Sequence, residues 1–279
     1  MSITQGTWLT MPDGRVVGTM ESGAPDGTPV MLFHPTPSSR LFVRQHADAA
    51  LRTGVRLVGF GRPGAGGSTV TTPGLRVVAQ DAVRVADAAG LDRFAVLGFS
   101  GGTPFAAATA ALFPDRVRAV GLCAAVAPLP LDERDDLEAE KSHLADLLAL
   151  DDAALGRALV EEATVEDAPF LDLVLAASQV VTLRDAVEDD DGGGGTPSYA
   201  TLDFDHAAFA PPWDVDVSRL AAPTWVWQGS RDVVTPLEHG QWYADRIPHA
   251  TLVVRDGLGH LGSFEAHRDE MLATLRDAD

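Results

Sequence analysis

Residues 94–105 read Phe94-Ala95-Val96-Leu97-Gly98-Phe99-Ser100-Gly101-Gly102-Thr103-Pro104-Phe105, and an alanine-rich run, Ala106 to Leu112, follows directly. The run Phe94–Gly98 is short, apolar and of strand type, whereas Thr103–Phe113 has helical spacing, so a strand gives way to a helix within a few residues. Ser100 stands in that turn inside the pattern G-x-S-x-G. Glycines on both sides relieve the crowding of so tight a strand-to-helix connection, which pushes the serine hydroxyl out at the C-terminal end of the strand.

The same alternation continues outward from this point. Val30–Phe33, Val55–Gly59 and Val117–Ala125 read as strands, and Arg40–Arg52 and Gly74–Ala89 as helices. Strand and helix in alternation predict an α/β protein with a parallel, doubly wound sheet covered on both faces. Ahead of it, Thr7–Met11 and Arg15–Met20 flank Pro12-Asp13-Gly14, the pattern of an antiparallel hairpin. The alternation stops at Ala127-Pro128-Leu129-Pro130 and resumes near Pro223. From there Thr224–Gly229 and Thr251–Gly257 read as strands, and Pro236–Arg246 and the last residues as helices. Residues 1–127 and 214–279 thus form one core, and 128–213 form a mainly helical cap inserted in it. Helical patterns are expected over Asp132–Leu150, Asp151–Glu162 and Ala168–Val187, with a glycine-rich loop over 188–198.

The chain has 279 residues, 46% hydrophobic and 22% charged, long enough to bury a substantial core. Forty acidic against 21 basic side chains give a formal net charge of −19, a field that repels phosphate backbones and anionic headgroups. This argues against nucleic acid and membrane surfaces as partners. Cys123 is the single cysteine, sits in an apolar run and reads as a buried structural thiol. The N-terminal residues lack a basic region followed by an apolar stretch, so a cytoplasmic protein is expected. A homodimer is compatible with all of this.

A serine hydroxyl needs a base within hydrogen-bond reach, itself oriented by a third group. Gly229-Ser230-Arg231-Asp232 follows the strand Thr224–Gly229, and Gly257-Leu258-Gly259-His260 follows the next strand. Both Asp232 and His260 are therefore expected at the C-terminal sheet edge where Ser100 sits, the edge at which parallel sheets gather ligands and reactive groups. The order Ser, Asp, His along the chain belongs to one triad-bearing fold.

These residues resemble the α/β-hydrolase superfamily in its serine-nucleophile, capped members. The resemblance rests on GFSGG (98–102), GSRDVVTP (229–236), GLGH (257–260) and FPDRVRAV (113–120), and covers nearly the whole chain outside the insertion. It implies Ser100 as nucleophile, His260 as general base and Asp232 as orienting acid. Some members carry the acid after the preceding strand, but no carboxylate occurs there before Asp132. It further implies an oxyanion hole from the amides of Gly101 and Thr36. In the loop His34-Pro35-Thr36-Pro37, similar to the family's H-G-x-P, Pro35 replaces a glycine and cannot donate a hydrogen bond. The stretch Gly59–Ser68 superficially fits a dinucleotide motif, but Pro63 and the glycine series prolong a loop where a helix should open. It is similar instead to the D-R-P-G-x-G-x-S loop of the same superfamily, with Gly61 in place of the aspartate.

The resemblance implies hydrolysis of a small or medium, largely uncharged or hydrophobic ester through an acyl-enzyme. Proline iminopeptidase-like amidases and carbon–carbon bond hydrolases use the same triad, and some relatives only bind ligands. Substrate contacts are expected from Phe99, Phe204, Phe209, Trp213, Leu258 and Leu261, whose default role is core packing. His34 is expected to brace its loop, and His46, His143, His239, His249 and His267 read as surface residues. His206 with Asp203 and Asp205 could imitate a metal site but reads as a solvated polar group. No metal and no cofactor are expected.

Overall fold

The computed structural model describes residues 3–128 and 200–278, with isolated positions between 142 and 154. The expected hairpin is formed by β1 (Ile3–Thr10) and β2 (Val16–Gly23), closed by a turn in which the Met11 amide donates to the Arg15 carbonyl at 2.8 Å. Arg15 also reaches across to α3 (Leu75–Ala88), where its guanidinium forms two 2.7 Å hydrogen bonds to the buried Asp81 carboxylate.

The remaining strands are β3 (Thr28–Phe33), β4 (Val55–Phe60), β5 (Phe94–Phe99), β6 (Val117–Cys123), β7 (Thr224–Gly229) and β8 (Ala250–Arg255). They build one eight-stranded sheet in the order β1-β2-β4-β3-β5-β6-β7-β8, antiparallel through the β2–β4 pairing and parallel from β4 to β8. β5, between β3 and β6, is buried along its whole length. Its side chains alternate: Phe94 and Val96 enter one core, Ala95, Leu97 and Phe99 the other. The first core lies under α3, α4 (Thr103–Leu112) and α6 (Leu237–Arg246), and the second under α1 (Phe42–Gln45), α2 (Ala47–Thr53), α7 (His260–Glu265) and α8 (Arg268–Asp277). Cys123 is fully buried, and burial followed by the nearby Asp232 charge pushes its thiol well up, so it packs as a neutral apolar group.

Two elements differ from the sequence reading. The helix expected over Arg40–Arg52 is two helices divided at His46, whose backbone leaves helical geometry (φ −103°, ψ 12°). The C-terminal helix is likewise divided, at His267. Within residues 128–213, the described helix is α5 (Ala200–Phe209), which is packed into the first core. Phe204 and Phe209 lie with ring centroids 6.3 and 5.7 Å from Phe105 of α4. A Cβ on Gly64 would come within 2.6 Å of Ala200, so the loop after β4 presses against the start of α5. Asp214 then crosses to the N-terminus of α3 and accepts from the Leu75 amide at 3.1 Å, capping a helix without an acidic residue in its own first turn. The helical patterns expected over 132–187 and the glycine-rich loop lie outside the described residues, apart from isolated positions. Among the described residues no helix is long and apolar enough to cross a membrane.

Candidate active site

β5 ends at Phe99, and a short 3-10 turn, Ser100–Gly102, leads into α4. Ser100 takes φ 50°, the left-handed region that a β-carbon disfavours, at a typical cost of about 1–3 kcal/mol. The serine itself carries this strain. The glycines beside it are required for a different reason: a Cβ on Gly102 would lie 2.2 Å from the Phe33 carbonyl oxygen, and one on Gly101 would lie 2.1 Å from Thr36 Oγ1. The end of β3 and the loop after it press directly on the turn.

His260 opens α7, and its ring reaches both other groups. Nε2 lies 2.9 Å from Ser100 Oγ, and Nδ1 lies 2.9 and 3.1 Å from the two Asp232 oxygens. A carboxylate can only accept, so Nδ1 carries the proton and Nε2 is left to accept from the serine hydroxyl. Asp232 is buried beneath the ring. Its Oδ1 accepts from the Val234 and Thr235 amides at 3.0 and 2.8 Å, and Oδ2 from the Thr235 hydroxyl at 2.9 Å and Gln228 Nε2 at 3.2 Å. Burial pushes this carboxyl up, but the attraction of His260 and its hydrogen bond, with those from Thr235, outweigh it and hold the group below the usual carboxylate range. Gln228 is pinned in turn, its Oε1 accepting from the Ala125 amide at 2.9 Å. Phe99 supports the imidazole from β5 (centroids 5.3 Å apart), packs at a tilt against Phe264 and stacks on Phe42.

The loop His34–Thr36 is held by Arg62, which is fully buried. Its guanidinium donates to the carbonyls of His34 (2.5 Å) and Pro35 (3.2 Å) and to Thr36 Oγ1 (3.1 Å). The counter-charge is Asp205 of α5, which takes Arg62 Nε at 2.9 Å on one oxygen and Arg62 Nη2 and Thr36 Oγ1, both at 2.5 Å, on the other. His34 Nδ1 donates to the Pro35 carbonyl at 2.8 Å while its Nε2 accepts from the Arg62 amide at 3.2 Å. Burial, then the Arg62 charge, hold this imidazole neutral, its pKa well below the usual value. Around Arg62 the chain makes tight turns with Gly64, Gly66 and Gly67 at positive φ, and no helix opens before α3.

Ser100, His260, Asp232, Gly101 and Thr36 are therefore brought together at one sheet edge. Of the expected apolar contacts, Phe209 abuts the turn, its ring 3.3 Å from where a Gly101 Cβ would stand. Phe204 is taken up by packing on Phe105, Trp213 by Trp242 and Tyr243, and Phe99 by the rings named above. Leu258 and Leu261 are half-buried beside His260. Three readings are corrected. Asp205 is not solvated but fully buried and ion-paired. His46 is buried between Phe42 and Phe264, and burial, then Arg268, push its pKa down to about 3. His239 is buried, its Nδ1 accepting from the Ala127 amide at 3.0 Å. Sequence reasoning missed Arg62, Thr235 and Gln228. Thr235 had a local signal, an aspartate three residues before a hydroxyl in a turn-forming stretch.

The chain belongs to the α/β-hydrolase family: the family model described as alpha/beta hydrolase fold matches residues 28–267. Among solved structures it is similar to an alpha/beta hydrolase fold protein from Nakamurella multipartita, at 26% identity and a TM-score of 0.72 over 98% of this chain and 99% of that one. An esterase from Exiguobacterium antarcticum (22% identity, TM-score 0.70, 97% and 98% covered) and an enol-lactonase from Burkholderia xenovorans LB400 (17%, 0.68, 97% and 98%) share the fold. No curated protein matches.

Proposed function

We propose that the protein is a serine hydrolase that cleaves a small or medium, largely uncharged or hydrophobic ester through an acyl-enzyme. What carries this reading is the unbroken chain of contacts from Ser100 Oγ through His260 to the buried Asp232, each link at 2.9 Å. In this reading His260 Nε2 takes the hydroxyl proton as Ser100 attacks the carbonyl carbon, and the resulting imidazolium is stabilised by Asp232 and passes its proton to the leaving alkoxide. The oxyanion is received by the amides of Gly101 and Thr36. Water then attacks the acyl-enzyme by the same steps, releasing the acid and restoring Ser100. Phe209 beside the turn and the half-buried Leu258 and Leu261 favour an apolar acyl or alcohol group. The acidic surface favours an uncharged substrate over an anion.

A fluorophosphonate probe tests this directly. It should label one site, and Ser100→Ala should abolish both the label and ester turnover while leaving the fold intact. Labelling that persists in the variant overturns the assignment. A panel of short and long acyl esters, amino-acid amides and carbon–carbon cleavage substrates, each compared with the serine variant, separates ester cleavage from the other reactions of this triad.

A further inference from the structure

The buried Arg62–Asp205 pair has no part in the triad, yet beyond the pair itself its two side chains hydrogen-bond to the loop that bears Thr36, at the His34 and Pro35 carbonyls and Thr36 Oγ1. The decisive unit is the peptide joining Pro35 to Thr36. It is trans, since the cis bonds among the described residues are Thr36–Pro37 and Pro211–Pro212. In a planar trans peptide the carbonyl and the following N–H point in opposite directions. Arg62 Nη2 and His34 Nδ1 both donate to the Pro35 carbonyl, at 3.2 and 2.8 Å. By holding that oxygen they fix the direction of the Thr36 N–H, which must point away from the guanidinium. The Thr36 side chain is fastened independently, donating to Asp205 Oδ2 and accepting from Arg62 Nη2. The same Thr36 Oγ1 lies 2.1 Å from where a Cβ on Gly101 would stand, which puts the loop directly against the serine turn.

We propose that Asp205, acting through Arg62, is a positioning residue that aims the Thr36 amide into the oxyanion hole. This rests on the Ser100 reading above. Three observations lead to it. First, Pro35 has no amide of its own with which to anchor the loop, so its carbonyl is the handle that remains. Second, Asp205 engages Nε and Nη2 of Arg62 together, a forked geometry that fixes the plane of the guanidinium and hence the direction of its remaining donors. Third, both groups are sealed from water, with side-chain exposures of 1% and 0%, so solvent cannot substitute for either. Asp205 thus makes a residue of the inserted segment part of the support of the oxyanion hole, 143 residues along the chain from Arg62.

The test uses Asp205→Asn and, because an unpaired buried Arg62 could prevent folding, the double variant Arg62→Met/Asp205→Leu, which removes both charges and fills the space. Active sites are counted by fluorophosphonate titration, so unfolded protein does not enter the rate. Turnover of a short-chain ester per titrated site should fall roughly 100-fold, the effect typical of losing one oxyanion donor, with KM changed less than about threefold. Affinity for an alkylboronic acid, which forms a tetrahedral adduct on the serine, should fall in parallel, whereas affinity for the product alcohol should not move. A residue that only supports folding would lower the titrated fraction and leave these per-site values alone. Per-site turnover and boronate affinity within threefold of wild type in whichever variant folds would overturn the proposal, as would failure of both variants to fold, which would make the pair a folding element. Wild-type protein that shows no Ser100-dependent labelling would instead remove the parent reading, and this proposal with it.

Discussion

Replacing Asp232 by asparagine changes one atom, and the surrounding hydrogen bonds dictate its placement. Oδ1 accepts from two backbone amides, Val234 and Thr235, so the asparagine must keep its carbonyl oxygen there. Its NH2 group then occupies the place of Oδ2, facing Gln228 Nε2, which also donates, and His260 Nδ1. A donor at that point forces Nδ1 to accept, and the neutral ring moves its proton to Nε2, the atom 2.9 Å from Ser100 Oγ. The nitrogen that should take the serine proton now carries one. Loss of kcat of about 10⁴-fold is expected, roughly 5.5 kcal/mol of transition-state stabilisation. The clash with Gln228 adds a stability loss of about 1–3 kcal/mol. Hydrolysis of 4-nitrophenyl butyrate, normalised to folded protein, reads the first quantity, and urea unfolding the second. The rate of fluorophosphonate labelling should fall with kcat, because it depends on the same activated hydroxyl. A folded variant that turns over within about tenfold of wild type would refute the reasoning and move the acid elsewhere.

Gly101→Ala drives a methyl group into the Thr36 hydroxyl, so ester turnover should drop by more than about 100-fold and stability by roughly 1–3 kcal/mol; unchanged kinetics would mean that the loop yields freely. His46 has a folded pKa of about 3 against 6.5 when free, so its contribution is fully present above about pH 6.5 and is lost as pH falls towards 3. His46→Leu should therefore flatten the decline of stability between pH 6.5 and 4 by a few kcal/mol, on the order set by the shift. Urea melts at pH 7 and 4.5 check this, and parallel curves for the two proteins would dismiss it. Asp214→Ala removes the long-range cap of α3 and should cost about 1 kcal/mol, read as a lower unfolding midpoint with no change in kcat.

The sheet was readable in the sequence because strands and helices here follow their own periodicities: β5 alternates between two cores, and α3 presents one apolar face. Ser100 was readable because its glycines are demanded by local crowding, and Asp232 and His260 because each stands just past the end of a strand. The breaks at His46 and His267 were hidden, since both residues sit within otherwise helical spacing. The burial of His46 and His239 was equally hidden. A histidine's local pattern does not reveal whether a distant element will cover it, and His46 is covered by Phe264, more than two hundred positions later in the chain. The Arg62–Asp205 pair is the extreme instance: each residue looks like an ordinary surface charge in its own segment, and only folding supplies the partner.

The way α5 is seated also bears on protein engineering. A chimera that traded residues 128–213 with a relative could be joined where the alternation of strands resumes, near Pro223. In this chain that junction would discard Asp205, Phe209 and Asp214 along with the segment, stripping the recipient of a buried counter-ion, a side chain against the serine turn and the stopper of α3. A graft spliced ahead of Ala200 leaves all three contacts in the host.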